Sequence, residues 1–442
     1  MNQYTLAGRE RTLLMSLMIL GLVCMGITFF TDDPYHTRFW SNFLHNSVFF
    51  TGVAFLALMF YAANMIALSG WHVVFKRLWE AYSLFLIVGL ALMLVVIVGL
   101  WLHGHHLYHW ADKEAVMNDE ILKGKSGFLN PVVYTLFTIG FVGLWYFFAL
   151  KLRAFSLEED GVSKWDFTIH KKKMRVWASW FLPIGGFTSA AIVWQWVMSI
   201  DAHWYSTLFA WYCTISWFVS MLCITVLTLI YLKGKGYYPQ LKADHFHDLG
   251  KYVFGFSVFW TYLWFSQYML IWYGNVGEET IYFRHRFDNY PVLFYGNLVI
   301  NFVLPFLVLL RNDTKRKMGV MSVICTIVLL GHWIDYFLMI KPGALHTAHE
   351  MMGHSASTMQ GGEHGGEAVA QAVGHGAETA GHAVEHASNF VAGFTIPGLL
   401  EIGTFVGFAA LFAYFFLTQL AKAPLVAKQD PYIDESLHHH VV

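Results

Sequence analysis

An all-α integral membrane protein of about ten transmembrane helices is the fold class this chain predicts, and three observations carry it. Hydrophobic residues make up 57% of the 442 residues and charged ones only 13%, whereas a soluble domain usually carries about 25% charged residues. The apolar residues gather into ten long runs, each long enough to cross a bilayer at ~20 residues per helical span. The basic residues then alternate from side to side between those runs, as the cytoplasmic retention of Lys and Arg requires. Continuous apolarity means helices, because backbone groups in lipid must satisfy one another. A β-barrel would show short alternating segments instead.

In chain order the predicted spans cover residues 12–30, 43–68, 80–103, 130–150, 176–200, 204–232, 250–274, 291–310, 317–340 and 395–419. The first follows MNQYTLAGRERTLL, which has no cleavage-site pattern, so this span is expected to be retained. Span two opens near His45, and span three runs from Glu80 to His103. An acidic, polar segment, 104–129, leads to span four, and a basic one, 151–175, leads to span five. Spans five and six meet at WQWVMSIDAHWYST, which puts Asp201 and His203 at a corner between two apolar runs. Span nine carries His332 and Asp335, and span ten carries Glu401. The expected organisation is a nine-span region, 1–340, containing two four-helix bundles at about 43–200 and 204–340. A His/Gly-rich loop at 341–394, the tenth span at 395–420 and a tail at 421–442 complete it.

With the N-terminus inside, 21 of the 28 Lys and Arg residues fall on inner segments. The other seven are Arg38, Lys113, Lys123, Lys125, Arg284, Arg286 and Lys341. Both termini are therefore expected in the cytoplasm of a multi-pass protein, in the inner membrane if the source is bacterial. A net charge of −1 gives no reason to expect a nucleic-acid partner. Cys24, Cys213, Cys223 and Cys325 lie in apolar runs without a CxxC pair and read as core residues. The outer loop holds His346, His349, His354, His364, His375, His382 and His386 at irregular spacing. It reads as a solvated or partner-covering loop more than a metal site, with EAVAQAV as a surface helix.

The candidate site residues are the ionisable groups inside or at the ends of spans. His332 and Asp335 share a helix face at i, i+3. If span nine ends near Ile340, they lie roughly 12 and 8 Å below the outer end, and Glu401 roughly 9 Å below the same surface. An acid at that depth must pair, protonate or face a wet cavity. Asp201, His203, His332, Asp335 and Glu401 are thus expected to converge on a wet outer cavity as half of a proton path, with Glu80 a candidate for the inner half. The bland alternatives are a helix cap for Asp201, snorkelling for the end residues His45, His103 and Glu80, and an interfacial belt for Trp194, Trp196, Trp204, Tyr205, Trp333 and Tyr336. WLHGHHLYHW crowds its histidines at one helix end, unlike the facing ligands of a b-type haem. WVMSID and GHWIDY, four spans apart, hint at two tandem bundles.

Three segments, VMSIDAHWYSTLFAWY, FWTYLWFSQYMLIWYGNVGEET and LGHWIDYFLMI, together resemble the F-subunit family of bacterial alternative complex III. These are membrane subunits of the NrfD/polysulfide-reductase type, in a respiratory quinol:electron-acceptor oxidoreductase. The likeness runs from the first span to the tenth. It implies ten helices with two four-helix bundles and no haem or iron–sulfur cluster in this chain. It implies as partners a related NrfD-like C subunit, an iron–sulfur protein and multihaem and monohaem cytochromes c, which hold the haem c and iron–sulfur clusters. Quinol oxidation belongs with the C subunit, and no quinone pocket is assigned to this chain. Carried onto these residues, a proton route would use Asp201, His203, His332, Asp335 and Glu401. The readings kept open are a redox-coupled proton-translocating or quinone-binding subunit in a complex that holds quinone, a non-catalytic membrane scaffold of the same type of complex, and a b-type cytochrome.

Overall fold

The computed structural model describes residues 3–161, 167–360 and 393–440. Helices dominate, and among the described residues nine are long and apolar enough to cross a membrane. The chain is an all-α, multi-pass membrane protein. Its long helices are α1 (Gly8–Thr31), α2 (Thr37–Ile66), α3 (Val73–Trp101), α4 (Pro131–Glu158), α5 (Phe167–Trp196) and α6 (Thr207–Gly234). They continue with α7 (Ala243–Gly274), the short α8 (Gly277–Asn289), α9 (Pro291–Leu309), α10 (Met318–Gln360) and α11 (Leu399–Leu420). α7 covers the expected span 250–274 but is not among the nine. Its 32 residues include His245, His247, Asp248, Lys251 and Gln267 and several Tyr and Trp, which lower its mean hydropathy.

Two boundaries differ from expectation. α10 does not stop near Ile340 but continues through Pro342 to Gln360. His346 and His349 therefore lie on a helix rather than in a loop, and the depths of His332 and Asp335 cannot be measured from residue 340. His364, His375, His382, His386 and the EAVAQAV segment lie outside the described residues. α11 starts at Leu399, so Glu401 sits in its first turn and not two turns down.

α2, α3, α4 and α5 pack side by side as one group, and α6, α7, α9 and α10 as another, with α2 lying against both α6 and α10. α1 and α11 pair on the outside, against α2. That pair is held at backbone distance by two glycines: a Cβ on Gly21 would fall 2.5 Å from Gly407 Cα, and the reverse holds. Close approach of small residues is how helices associate in lipid, where burial of apolar surface gives no drive.

One end of the molecule collects both termini. Lys76, fully buried, bridges Glu159 at 2.8 Å and Asp430 of the tail at 2.5 Å. Tyr4 packs on Tyr237, and His439 meets Asp248 at 2.5 Å. Lys76 and Lys171 hold the Asp430 carboxylate well below the usual carboxylate range despite its burial. The opposite end carries the α5–α6 corner, α8, the 104–129 segment and the start of α2, and the candidate site residues other than Glu80 lie toward it.

Candidate functional site

Asp335 is the most fully buried of the candidate acids. It is fully buried on α10, and the other three helices of its group each supply a donor. The Tyr212 hydroxyl of α6 donates to Oδ1 in a short contact. The Trp260 indole N–H of α7 donates to Oδ2 at 2.9 Å, and the Asn297 amide of α9 donates to Oδ1 at 2.8 Å. Asn297 is held in turn by Asn301, whose amide donates to its oxygen at 2.6 Å. Asn301 lies in a π-helical turn, Val299–Val303, a local widening that recurs at functional sites in helices.

His332, one turn before Asp335, is also fully buried, with Nδ1 4.0 Å from Asp335 Oδ2 and 2.9 Å from Ser216 Oγ. Its Nε2 has no partner and no solvent. The cluster is a carboxyl and an imidazole set among neutral hydroxyl, indole and amide groups. No Lys or Arg reaches hydrogen-bonding distance of Asp335 among the described residues.

Asp201 and His203 sit nearer the surface. Both line an open cavity of about 280 Å³ with His109, Glu278, His285, Arg286 and His346. Asp201 does not cap α6, whose N-cap is Ser206. It pairs with Arg286 of α8 at 3.1 Å instead. Arg286 is 3% exposed and is fixed on every side. It donates to the Leu338 and Tyr282 carbonyls at 3.0 and 2.8 Å, and its guanidinium lies 3.4 Å from the Tyr282 ring centroid. His203 hydrogen-bonds Asp119 at 2.6 Å. Desolvation pushes the Asp119 carboxyl up, but the contact with His203 and the backbone N–H groups of Leu122 and Ile121 outweigh it and hold the group below its ordinary value. Burial, reinforced by Arg286, pushes His285 down to about 4.

A second cavity lies behind the first. It holds about 20 Å³ and is lined by Arg286 and Tyr282, which also line the outer cavity, and by Tyr212, Asn297 and Gln267. Tyr212 and Asn297 are direct partners of Asp335. The two cavities and the buried acid thus form one series from the surface inward.

The remaining two acids do not join it. Glu401 is 1% exposed and bound by the Arg38 Nε and Nη2 groups at 2.7 and 2.9 Å, by Asn42 at 3.0 Å and by the Gly398 N–H at 2.9 Å. It is at once the far partner of α2 and the cap of α11. Glu80 is buried at the terminal end, paired with Arg77 at 3.1 Å and accepting from Ser156 at 2.5 Å. It does not snorkel to water. The expected convergence of five groups on one cavity is therefore corrected: Asp201 and His203 line the cavity, His332 and Asp335 lie behind it, and Glu401 is elsewhere. Of the two other end histidines, His45 is buried, its Nε2–H donating to the Trp333 carbonyl at 3.0 Å, while His103 is exposed.

The aromatic residues expected as an interfacial belt are mostly inside. Trp196, Trp204, Trp333 and Tyr336 are buried, and Tyr205 is exposed. Trp196 donates to Thr138 at 2.9 Å and Trp333 to Asn46 at 3.1 Å. The partners Arg38, Tyr212, Trp260, Gln267, Arg286 and Asn297 were not candidates from the sequence. One signal pointed to two of them: Arg38 and Arg286 are among the seven basic residues on the wrong side of the charge bias. Among the described residues no cluster of three or more His, Cys, Asp or Glu is arranged to hold a metal ion. No protein-family model matches this sequence, and neither does any curated protein.

Proposed function

We propose that the chain is a proton-transferring membrane subunit of a respiratory quinol oxidoreductase, similar to the F subunit of bacterial alternative complex III. It lies in the bacterial inner membrane with both termini in the cytoplasm. Electron carriers, haem c and iron–sulfur clusters, belong to the partner subunits, as does quinol oxidation. The observation that carries the reading is Asp335: a fully buried carboxyl beside an imidazole, with neutral donors only and a polar series leading to a surface cavity. Burying an ionised carboxylate without a cation is costly. A group so placed exchanges its proton when a path reaches it.

In this reading Asp335 and His332 are the inner station and Asp201 and His203 the outer one. Glu401 and Glu80, each already tied to an arginine, hold helices together. The same buried ion pairs favour a second reading, a scaffold whose polar groups are structural throughout. The distinguishing experiment is proton release per electron in liposomes containing the whole complex with Asp335→Asn. The expected result is normal assembly with the proton release beyond that of quinol oxidation itself reduced by about 10²-fold or more, the scale of a lost proton-transfer group. Normal assembly with unchanged release would establish the scaffold reading.

A further inference from the structure

The 20 Å³ cavity is too small for a substrate and large enough for one water molecule. A water also needs two to four polar partners, and Gln267, Tyr212, Asn297 and Arg286 line this cavity among aromatic and aliphatic side chains. Gln267 supplies the telling detail. Its side chain is 3% exposed, and its Oε1 is buried with no hydrogen-bond donor from the protein. A buried amide oxygen without a donor is costly, and the protein supplies none to Gln267 Oε1. A metal cation would satisfy the oxygen but would face the buried guanidinium of Arg286 across a space one water wide. A neutral water carries no such penalty.

We infer that a single water held by Gln267 in this cavity is the link through which protons pass between the outer cavity and Asp335, with Tyr212 as the relay. The inference rests on the proposed proton-transfer role and names its missing element. The Tyr212 hydroxyl is hydrogen-bonded to Asp335, and Tyr212 lines the cavity, so this residue stands between the acid and the water. For outward transfer the Tyr212 hydroxyl turns from Asp335 to donate to the water, and its oxygen accepts from protonated Asp335; Asp335 then gives its proton to Tyr212 Oη as the Tyr212 hydroxyl proton passes to the water. The water passes a proton on past Arg286 to Asp201 or His203. Each transfer breaks one O–H bond and forms one O–H bond, or one N–H bond at His203, and no electron moves. Arg286 closes the route in the resting arrangement because it lines both cavities and is clamped by Asp201 and the Leu338 carbonyl. It is a positioning residue and carries no proton itself.

The test uses the intact complex in liposomes with Gln267→Leu, Gln267→Glu and Asp335→Asn measured side by side. Leu fills the site and offers no acceptor, whereas Glu retains one. Proton release per electron beyond the protons that quinol oxidation itself liberates should fall at least about tenfold in Gln267→Leu and stay within about threefold in Gln267→Glu, on the scale of a broken relay. Release unchanged in Gln267→Leu, with Asp335→Asn impaired, would overturn the water link and leave the proton path intact. Release unchanged in all three would remove both. If Gln267→Leu fails to assemble, a density map of the unaltered complex fine enough to show ordered water decides: a peak in contact with Gln267 Oε1 supports the link, and an empty cavity overturns it.

Discussion

Asp335 and Glu401 are both acids buried in the same half of the molecule, and they are opposites in every other respect. Glu401 meets a guanidinium in two parallel hydrogen bonds and takes an amide and a backbone N–H besides. Such fork-to-fork pairing is strong and geometrically specific. Its carboxylate is committed, and what it joins is the start of α2 to the start of α11. Asp335 meets a phenol, an indole and an amide, none of them charged. No fixed counter-charge is bonded to it among the described residues. Burial alone therefore does not mark a working acid in a membrane protein. The charge of its partners does, together with whether a polar series reaches it.

The sharpest break of that contrast is Glu401→Gln. It leaves the Arg38 guanidinium without its counter-charge beside buried groups, and losing one partner of a buried pair costs about 3–5 kcal/mol. Arg38 keeps 17% of its side chain exposed, which places the cost at the lower end. The expected outcome is a marked fall in thermal stability in detergent, with proton release per electron normal in whatever fraction assembles. Asp335→Asn should do the reverse. If Glu401→Gln instead assembles well and slows proton release, the division between the two acids is wrong.

Gly343→Ala probes how tightly the outer station is fitted. Gly343 lies on α10, and a Cβ there would sit 2.7 Å from Asp201 Oδ1 and 2.8 Å from its Cγ. Asp201 must yield and stretch its contact with Arg286. Alanine in a helix gains up to about 1 kcal/mol over glycine, against about 1–3 kcal/mol for overpacking. The balance is a destabilisation of about 1 kcal/mol, read by thermal unfolding against the parent. A more stable variant would mean that Asp201 swings away freely and that its pairing with Arg286 is loose.

What the sequence reveals and what it hides divides along the same line. Nine of the expected spans are legible because apolarity accumulates over twenty residues, and α7 is legible as a helix although its aromatic and polar residues dilute it. The acids are legible because an ionisable residue inside an apolar run is rare. Their partners are not. Arg38 and Glu401 are 363 positions apart, and Tyr212 and Asp335 are 123 apart, so only the packing of helices brings them together. Trp260 and Trp333 look like any interfacial indole until an acceptor is found for the N–H. The end of span nine was misplaced because Lys341, Pro342 and Gly343 look like a stop. Here Lys341 turns inward to donate to Ser41 at 2.9 Å, Gly343 admits Asp201, and the helix runs on.

The smallest expected effect lies at the mouth of the outer cavity, where water screens charge. His285 is half-buried beside Arg286, and burial with that neighbour holds its pKa down to about 4, against about 6.5 for the free side chain. Between those values the unfolded chain binds the proton and the folded one does not, so stability rises with pH across the window and falls as pH drops from about 6.5 to about 4. Asp119 acts separately: its folded pKa is depressed, so its contribution is present above about 3.9 and is lost only below that. Unfolding of the parent should therefore shift to lower temperature between pH 7 and pH 4.5, and His285→Gln, which cannot take the proton, should lose part of that shift. His285 lines an open cavity, so the part lost is modest. Equal pH dependence in the two proteins would mean that the imidazole is protonated in place, with Asp201 and water offsetting Arg286.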